Sequence, residues 1–254
     1  MKLSINLNKI ALLRNARGEG NPSVEDYANK SLDLGVDGLT LHPRPDHRHA
    51  TSDDVTSIAN LCKKRNVEFN LEGNPFSEPL GDFKGFVNLV KQSQPDQITL
   101  VPDLPNQITS DHGWVSGNHD EDLRQIIQTL KEVSSRSRIS LFVDNLEDNK
   151  PNYQSIDYAL DLGAGGIEIH TGQFSKLIGL EDFTIINHLK NLIIKANERN
   201  LFVNAGHDLN LQNLPMLVEI GGVNEVSIGH AIIVDALNYG FKDTIKKYIN
   251  IIRE

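Results

Sequence analysis

Eight short runs of apolar and β-branched residues recur along the chain, and nearly every one is followed by a stretch with helical spacing. The runs are LSINL from Leu3, DGLTLH from Asp37, VEFNLE from Val67, QITLVP from Gln97, RISLFVD from Arg138, GIEIH from Gly166, LFVNAG from Leu201 and EVSIGH from Glu225. Helical patterns cover 23–34, 52–64, 83–92, 121–133, 153–162, 181–198 and 211–220, with a last helix over about 242–252. Spread over eight units, 254 residues give roughly 32 each, the size of one strand–helix pair. No proline-rich or Gly/Ser linker interrupts the series. The pattern predicts an α/β fold, one (β/α)8 barrel over residues 1–254 with extra helices; a doubly wound open sheet fits eight even repeats less well.

Local signals agree. Thr51-Ser52-Asp53-Asp54 offers hydroxyl and carboxylate caps at a helix start, and Ser23 heads another after Pro22. Gly35 and Gly163 stand just past helices, where a left-handed residue closes the last turn.

Charge narrows the partners. With 25 Lys plus Arg against 34 Asp plus Glu, the net charge of −9 argues against a nucleic-acid or anionic-membrane surface. Apolar runs such as 10–13 and 231–234 are too short to span a bilayer. A single cysteine, Cys62, rules out an intrachain disulfide or a cysteine zinc cluster, and the simplest compartment is a reducing cytoplasm.

Barrels of this type carry their active sites at the C-terminal strand ends. Those ends bring Asn6, Asn8 and Lys9, with Arg14 and Arg17 beyond; then His42, Arg44, Asp46, Arg48 and His49; then Glu72, Thr109 and Asp144. Strands six to eight add Glu168 and His170, Asn204 and His207, Gly229 and His230. Eight of nine histidines fall at these ends or in the loops after them, and only His188 lies in an expected helix. A strand-end histidine can merely satisfy a backbone carbonyl, but His42 and His207 stand among other polar groups. Glu72 sits at the rim beyond Phe69 and Leu71, and Glu168 and His170 read equally as structural or functional. His47, His112 and His119 read as surface loop residues, and Cys62 as packing. Glycines in NAGHD (204–208) and SIGH (227–230) suit phosphate binding by backbone N–H groups after strands seven and eight. The residues describe a barrel enzyme that handles a phosphorylated small molecule by acid–base chemistry.

Five stretches then carry a resemblance: NLNKIALLRNARG (6–18), HPRPDHRH (42–49), NLE (70–72), VNAGH (203–207) and SIGHAII (227–233). In order and spacing, from the first strand to the last, they resemble the pyridoxine 5'-phosphate synthase family. The resemblance implies condensation of 1-deoxy-D-xylulose 5-phosphate with 3-amino-2-oxopropyl phosphate, releasing phosphate and water, with no metal or organic cofactor. It implies His42 and Glu72 as proton acceptors and His207 as proton donor. Asn6, Arg17, Asp208 (through its backbone), Gly229 and His230 would hold the aminoketone phosphate. Asn8, Lys9, Arg44, His49 and Thr109 would hold the deoxyxylulose phosphate. A symmetric homo-octamer is implied as well. The chain departs from the family pattern in Asn8-Lys9, where members carry Asp-His, and in Asp208, where members carry Gly.

Two other readings use the same residues. One is a metal-dependent barrel hydrolase or isomerase, with His42, Glu72, His170, His207 and His230 as ligands. The other is a phosphosugar sensor that binds without turnover. The long connection 102–118 after strand four is expected to act as a lid over bound substrate, with Trp114 as its natural reporter.

Overall fold

A computed structural model describes every residue except Asn106, Asn118 and Glu254. Eight parallel strands close into one barrel: β1 (Lys2–Asn6), β2 (Gly38–Leu41), β3 (Glu68–Gly73), β4 (Gln97–Leu100), β5 (Arg138–Asp144), β6 (Gly166–His170), β7 (Phe202–Gly206) and β8 (Glu225–Ile228). Each pairs with its sequence neighbours, and β1 closes on β8 with Lys2 opposite Glu225 and Ile5 opposite Ile228.

The alternation along these strands is opposite to that of a half-buried sheet. Side chains such as Leu3, Leu39, Leu71, Ile98, Leu141 and Ile167 face outward beneath the helices and are essentially inaccessible. Each such burial is worth about 1.5–3 kcal/mol, so the helical coat carries the apolar core. The intervening residues point to the barrel axis and are mostly polar, with Phe142 and Phe202 as aromatic exceptions. At the floor, Glu68 receives Lys2 at 2.7 Å and Arg138 at 2.6 Å, and the Arg138 guanidinium lies 3.5 Å from the Phe202 ring centre. Higher up, Ser4 and Thr40 share a 2.7 Å hydrogen bond, while Thr99 donates to Asn70 at 3.1 Å or to Glu168 at 3.2 Å. Polar interior groups thus lead from the floor to the catalytic end.

The surrounding helices are α1 (Asn8–Asn15), α2 (Val24–Asp33), α3 (Ser52–Arg65), α4 (Phe86–Ser93), α5 (Asp120–Val133), α6 (Tyr153–Asp161), α7 (Gly172–Gly179), α8 (Thr184–Glu198), α9 (Leu214–Ile220), α10 (His230–Tyr239) and α11 (Phe241–Arg253). The expected caps are in place. Thr51 and Asp54 form a reciprocal capping box at α3, Ser23 accepts from the Asp26 N–H at 3.1 Å, and Gly35 and Gly163 take φ of +93° and +82°.

Several expectations need correction. Helices α1, α7 and α10 were not anticipated, so Asn8, Lys9 and His230 stand in first helical turns rather than in loops. The helix expected from 83 begins at Phe86, because Phe83 pairs with Leu80 and Gly85 takes φ +82°. The one expected over 181–198 begins at Thr184, since Glu181 takes φ +59°. A small hairpin, Leu146–Glu147 with Lys150–Pro151, follows β5.

Candidate active site

A cavity of about 900 Å³ opens at the C-terminal end of the barrel. Twelve of the thirteen site residues implied by the resemblance line it: Asn6, Asn8, Lys9, His42, Arg44, His49, Glu72, Thr109, His207, Asp208, Gly229 and His230. Arg17 is the exception. It follows α1, points to solvent at 77% exposure and approaches only Glu19, at 3.8 Å. Arg14 is also engaged elsewhere, gripping both carboxylate oxygens of Asp54.

Glu72 is the buried acid of the site. Its carboxylate accepts from Asn6 Nδ2 and Asn70 Nδ2, each at 3.3 Å, and its Oε2 lies 3.8 Å from His42 Nδ1. Burial pushes its pKa well above the ordinary carboxyl range, and the nearby charges of Glu168, Asp103 and Glu225 push the same way. Glu168, whose role the sequence left open, points inward and lines the cavity. Burial raises it to about 7 against the bond from Thr99. Gly206 makes room for it, because a Cβ there would come within 2.6 Å of Glu168 Oε1.

His207 follows β7 with φ +75°, an uncommon conformation for a side-chain-bearing residue, and Asp208 follows at +56°. Thr171 donates to the carbonyls of Gly206 and His207; Ser175 and Asn213 each donate to the Asp208 carbonyl at 3.0 Å. Enclosure by protein lowers the His207 pKa to about 3, with help from the His170 and His42 rings. His170 stacks edge-on against His207 at 5.2 Å and donates from Nδ1 to Asp144 at 2.9 Å, so Asp144 orients the ring that supports His207. His49, 6.1 Å from the His42 ring, is likewise lowered to about 3, first by burial and then by His42, Arg44 and Arg48.

Anion-binding features surround these groups. Helices α1 and α10 start at the cavity, and neither Leu7 nor Gly229 caps them; Asn6 Oδ1 accepts from the Asn8 N–H at 3.0 Å, and the N–H groups that follow in the first turns remain for a ligand. Gly229 brings α10 close, since a Cβ there would lie 3.0 Å from Asn6. Arg44 is buried, donating from Nε to Asp103 at 3.0 Å and from a terminal nitrogen to the Gln107 carbonyl at 2.8 Å. Arg48 reaches the Ile108 carbonyl at 3.0 Å, so two arginines hold the connection after β4 across the cavity. Asn106 and Asn118 of that connection lie outside the described residues.

The sequence reading missed Ser110 and Ser227, which line the cavity, and Asp103, which lies behind His42. Ser110 and Asp103 lie on the long connection, where no periodicity points to them. An acid directly after β4, in Val101-Pro102-Asp103, was the available signal. Among the described residues no three His, Cys, Asp or Glu side chains are arranged to hold an ion.

A closed parallel barrel with imidazoles, buried carboxyls of raised pKa and two helix N-termini at its C-terminal mouth defines a (β/α)8-barrel enzyme of acid–base chemistry on anionic small molecules. Residues 3–254 match the family described as pyridoxal phosphate biosynthesis protein PdxJ, and the chain belongs to that family. It is 42% identical over 255 residues to the pyridoxine 5'-phosphate synthase of Xanthomonas axonopodis pv. citri (strain 306), covering 99% of this chain and 96% of that one. The enzyme of the same name from Xylella fastidiosa (strain 9a5c) is 41% identical, with 99% and 94% covered. Among solved structures, a Mycobacterium tuberculosis tryptophan synthase aligns at TM-score 0.65 and 10% identity (100% and 93% covered). A thiamine phosphate pyrophosphorylase from Pyrococcus furiosus aligns at 0.59 and 12% (99% and 95% covered). At such identities these two speak for the barrel alone.

Proposed function

We propose that the chain forms pyridoxine 5'-phosphate from 1-deoxy-D-xylulose 5-phosphate and 3-amino-2-oxopropyl phosphate, with release of phosphate and water. The observation that carries this reading is the convergence of His42, Glu72 and His207 in one cavity where the helices α1 and α10 start. It is joined by membership of a family whose relatives bear that activity in their names.

The chemistry follows from the charges. An aminoketone arrives as an ammonium and must lose a proton before it attacks a ketone. Burial raises the basicity of Glu72 above that of an ordinary carboxylate, so in its ionised form it is the better acceptor for the proton of the substrate ammonium. His207 is neutral in the empty pocket. Two bound phosphates bring negative charge that favours the imidazolium, so substrate binding itself prepares His207 to donate. His42 then exchanges protons during imine and enamine formation. Arg44, Lys9 and the first turns of α1 and α10 supply the positive field for the phosphates. Thr109 and His49 flank the deoxyxylulose side, and Asn6 and the backbone at Asp208 the aminoketone side.

Arg17 belongs to this reading only if an assembly brings it to a cavity. A homo-octamer is the expected assembly, in the cytoplasm, and Leu13, Leu237 and Tyr239 on α1 and α10 leave apolar surface for self-association. Light scattering gives the stoichiometry. No helix among the described residues is long and apolar enough to cross a membrane. Turnover with both substrates, followed by product absorbance, tests the function. Product formation supports it, and binding of either substrate without product would leave a sensor.

A further inference from the structure

His42 hangs between two carboxylates from different elements. Its Nδ1 faces Glu72 of β3 at 3.8 Å, and its Nε2 lies 2.8 Å from Oδ2 of Asp103, three residues beyond the end of β4. Asp103 is buried, and the adjoining His42 and Arg44 side chains, with a bond from Ser110, hold its carboxyl well below the usual range despite that burial. Arg44 meets the same oxygen at 2.6 Å and 3.0 Å. An ionised oxygen 2.8 Å from a bare imidazole nitrogen would set two lone pairs against each other, so Nε2 carries the proton. The Nε2–H does not point straight at Oδ2, and the contact acts through charge as much as through hydrogen bonding.

We propose, building on the acid–base reading above, that Asp103 is a positioning residue: it fixes His42 in the Nε2–H tautomer and leaves Nδ1, on the Glu72 side, as the open base. The connection that carries Asp103 also carries Gln107, and Arg44 bonds to both. The tautomer is therefore set when this connection lies across the cavity, which links covering of the substrates to readiness of the base. Asn8 completes the arrangement by accepting from the His42 backbone N–H at 2.9 Å, and His49 is the remaining titratable ring beside it.

The test is nitrogen NMR of histidine-labelled protein near neutral pH without substrate, with steady-state kinetics on the parent, Asp103→Asn and Asp103→Glu. The parent should show a protonated Nε2 and a bare Nδ1 at His42. Asp103→Asn should mix or reverse the tautomers and lower kcat by about 100-fold with KM within about threefold, since the amide can present either end to the ring. Asp103→Glu should restore the Nε2–H signal and at least about a tenth of kcat. A bare Nε2 in the parent overturns the proposal, and so does an unchanged tautomer or a loss confined to KM in Asp103→Asn. The parent spectrum decides by itself should the asparagine variant not fold. Because the tautomer is read without substrate, a parent that shows Nε2–H yet makes no product overturns the synthase reading and leaves Asp103 in its place.

Discussion

The hydroxyl of Thr171, at the foot of α7, donates to the carbonyl of Gly206 on the neighbouring strand at 2.6 Å. It lies equally close to the carbonyl of His207, and the Thr171 N–H donates to Gly206 as well, at 2.8 Å. A residue outside the proton-transfer set thus clamps the backbone where it turns to φ +75°. Strain of that kind costs about 1–3 kcal/mol and persists only where neighbours enforce it.

Thr171→Val keeps the shape and removes the clamp. The Gly206 carbonyl keeps the Thr171 N–H, but leaving the His207 carbonyl without the hydroxyl should cost about 1–3 kcal/mol of stability. Turnover should fall about tenfold or more as His207 loses its geometry, since small misplacements of a catalytic group can cost up to 10²-fold. Thermal denaturation and kcat measured together check this; loss of stability with unchanged kcat would separate the clamp from His207.

Glu225, at the barrel floor, is fully buried and raised to about 8, chiefly by burial and then by Glu68, against the opposing pull of Arg138 and Lys2. Its folded pKa lies above the ordinary carboxyl value, so the folded protein binds the extra proton. That contribution to stability is full below about pH 4.5 and drains away as pH rises towards about 8. Glu168, raised to about 7, adds to the same slope. Glu225→Gln should therefore gain stability relative to the parent between about pH 5 and 8, with melting temperatures across that range as the readout. A constant difference over the whole range would mean that Glu225 is already ionised.

How much of this was legible in sequence depends on where capping chemistry is visible. The strands were legible because their outward residues, such as Ile98 and Ile167, are uniformly apolar. Helix α3 was legible through Thr51 and Asp54. Helices α1, α7 and α10 were not, and their first turns explain why: the residues before them, Leu7, Thr171 and Gly229, make no side-chain cap bond. At α10, leaving N–H groups free for a ligand erases the signature that announces a helix start, and at α1 the capping side chain is Asn6, which also ends β1. Asp103 was hidden for another reason, since its meaning lies in contacts with His42 and Arg44, about sixty residues away in the chain.

Glu72→Gln and His207→Asn roughly preserve volume while removing proton transfer, whose loss typically costs about 10²–10⁴-fold. Both should fold and lose turnover on that scale. The His207 ring should also titrate near 3 in the free protein and move upward when a phosphorylated substrate binds. Nitrogen shifts of His207 with and without substrate measure it; a titration that stays put would deny substrate charge its role in preparing the donor.

Lys9 stands in the first turn of α1, where the helix dipole already concentrates positive potential and a cation is locally unfavourable. A bound phosphate reverses that balance. Lys9→Ala should raise KM for deoxyxylulose phosphate by about tenfold and leave kcat within about threefold, the signature of lost ground-state binding. A collapsed kcat at constant KM would make Lys9 a participant in the chemistry.

The connection after β4 is gripped at two depths, by Trp114 against the barrel and by Arg44 and Arg48 at the cavity. Trp114 belongs to the inner part: it is buried, donates from Nε1 to the Leu100 carbonyl at 2.9 Å and packs edge-on against Phe76 at 6.1 Å. It is therefore a poor reporter of a lid, contrary to the expectation from sequence. Ile108, 92% exposed at the cavity edge, is the better position. In a Trp114→Phe background, Ile108→Trp should shift its emission when substrate phosphate binds, because closure withdraws the indole from water. Proteolysis within 104–109 should slow at the same time, while the carbonyls of Gln107 and Ile108 stay bonded to Arg44 and Arg48. Constant emission and constant cleavage at saturating ligand would show that this stretch covers the cavity permanently, and substrate would then have to enter past α1 and α10 instead.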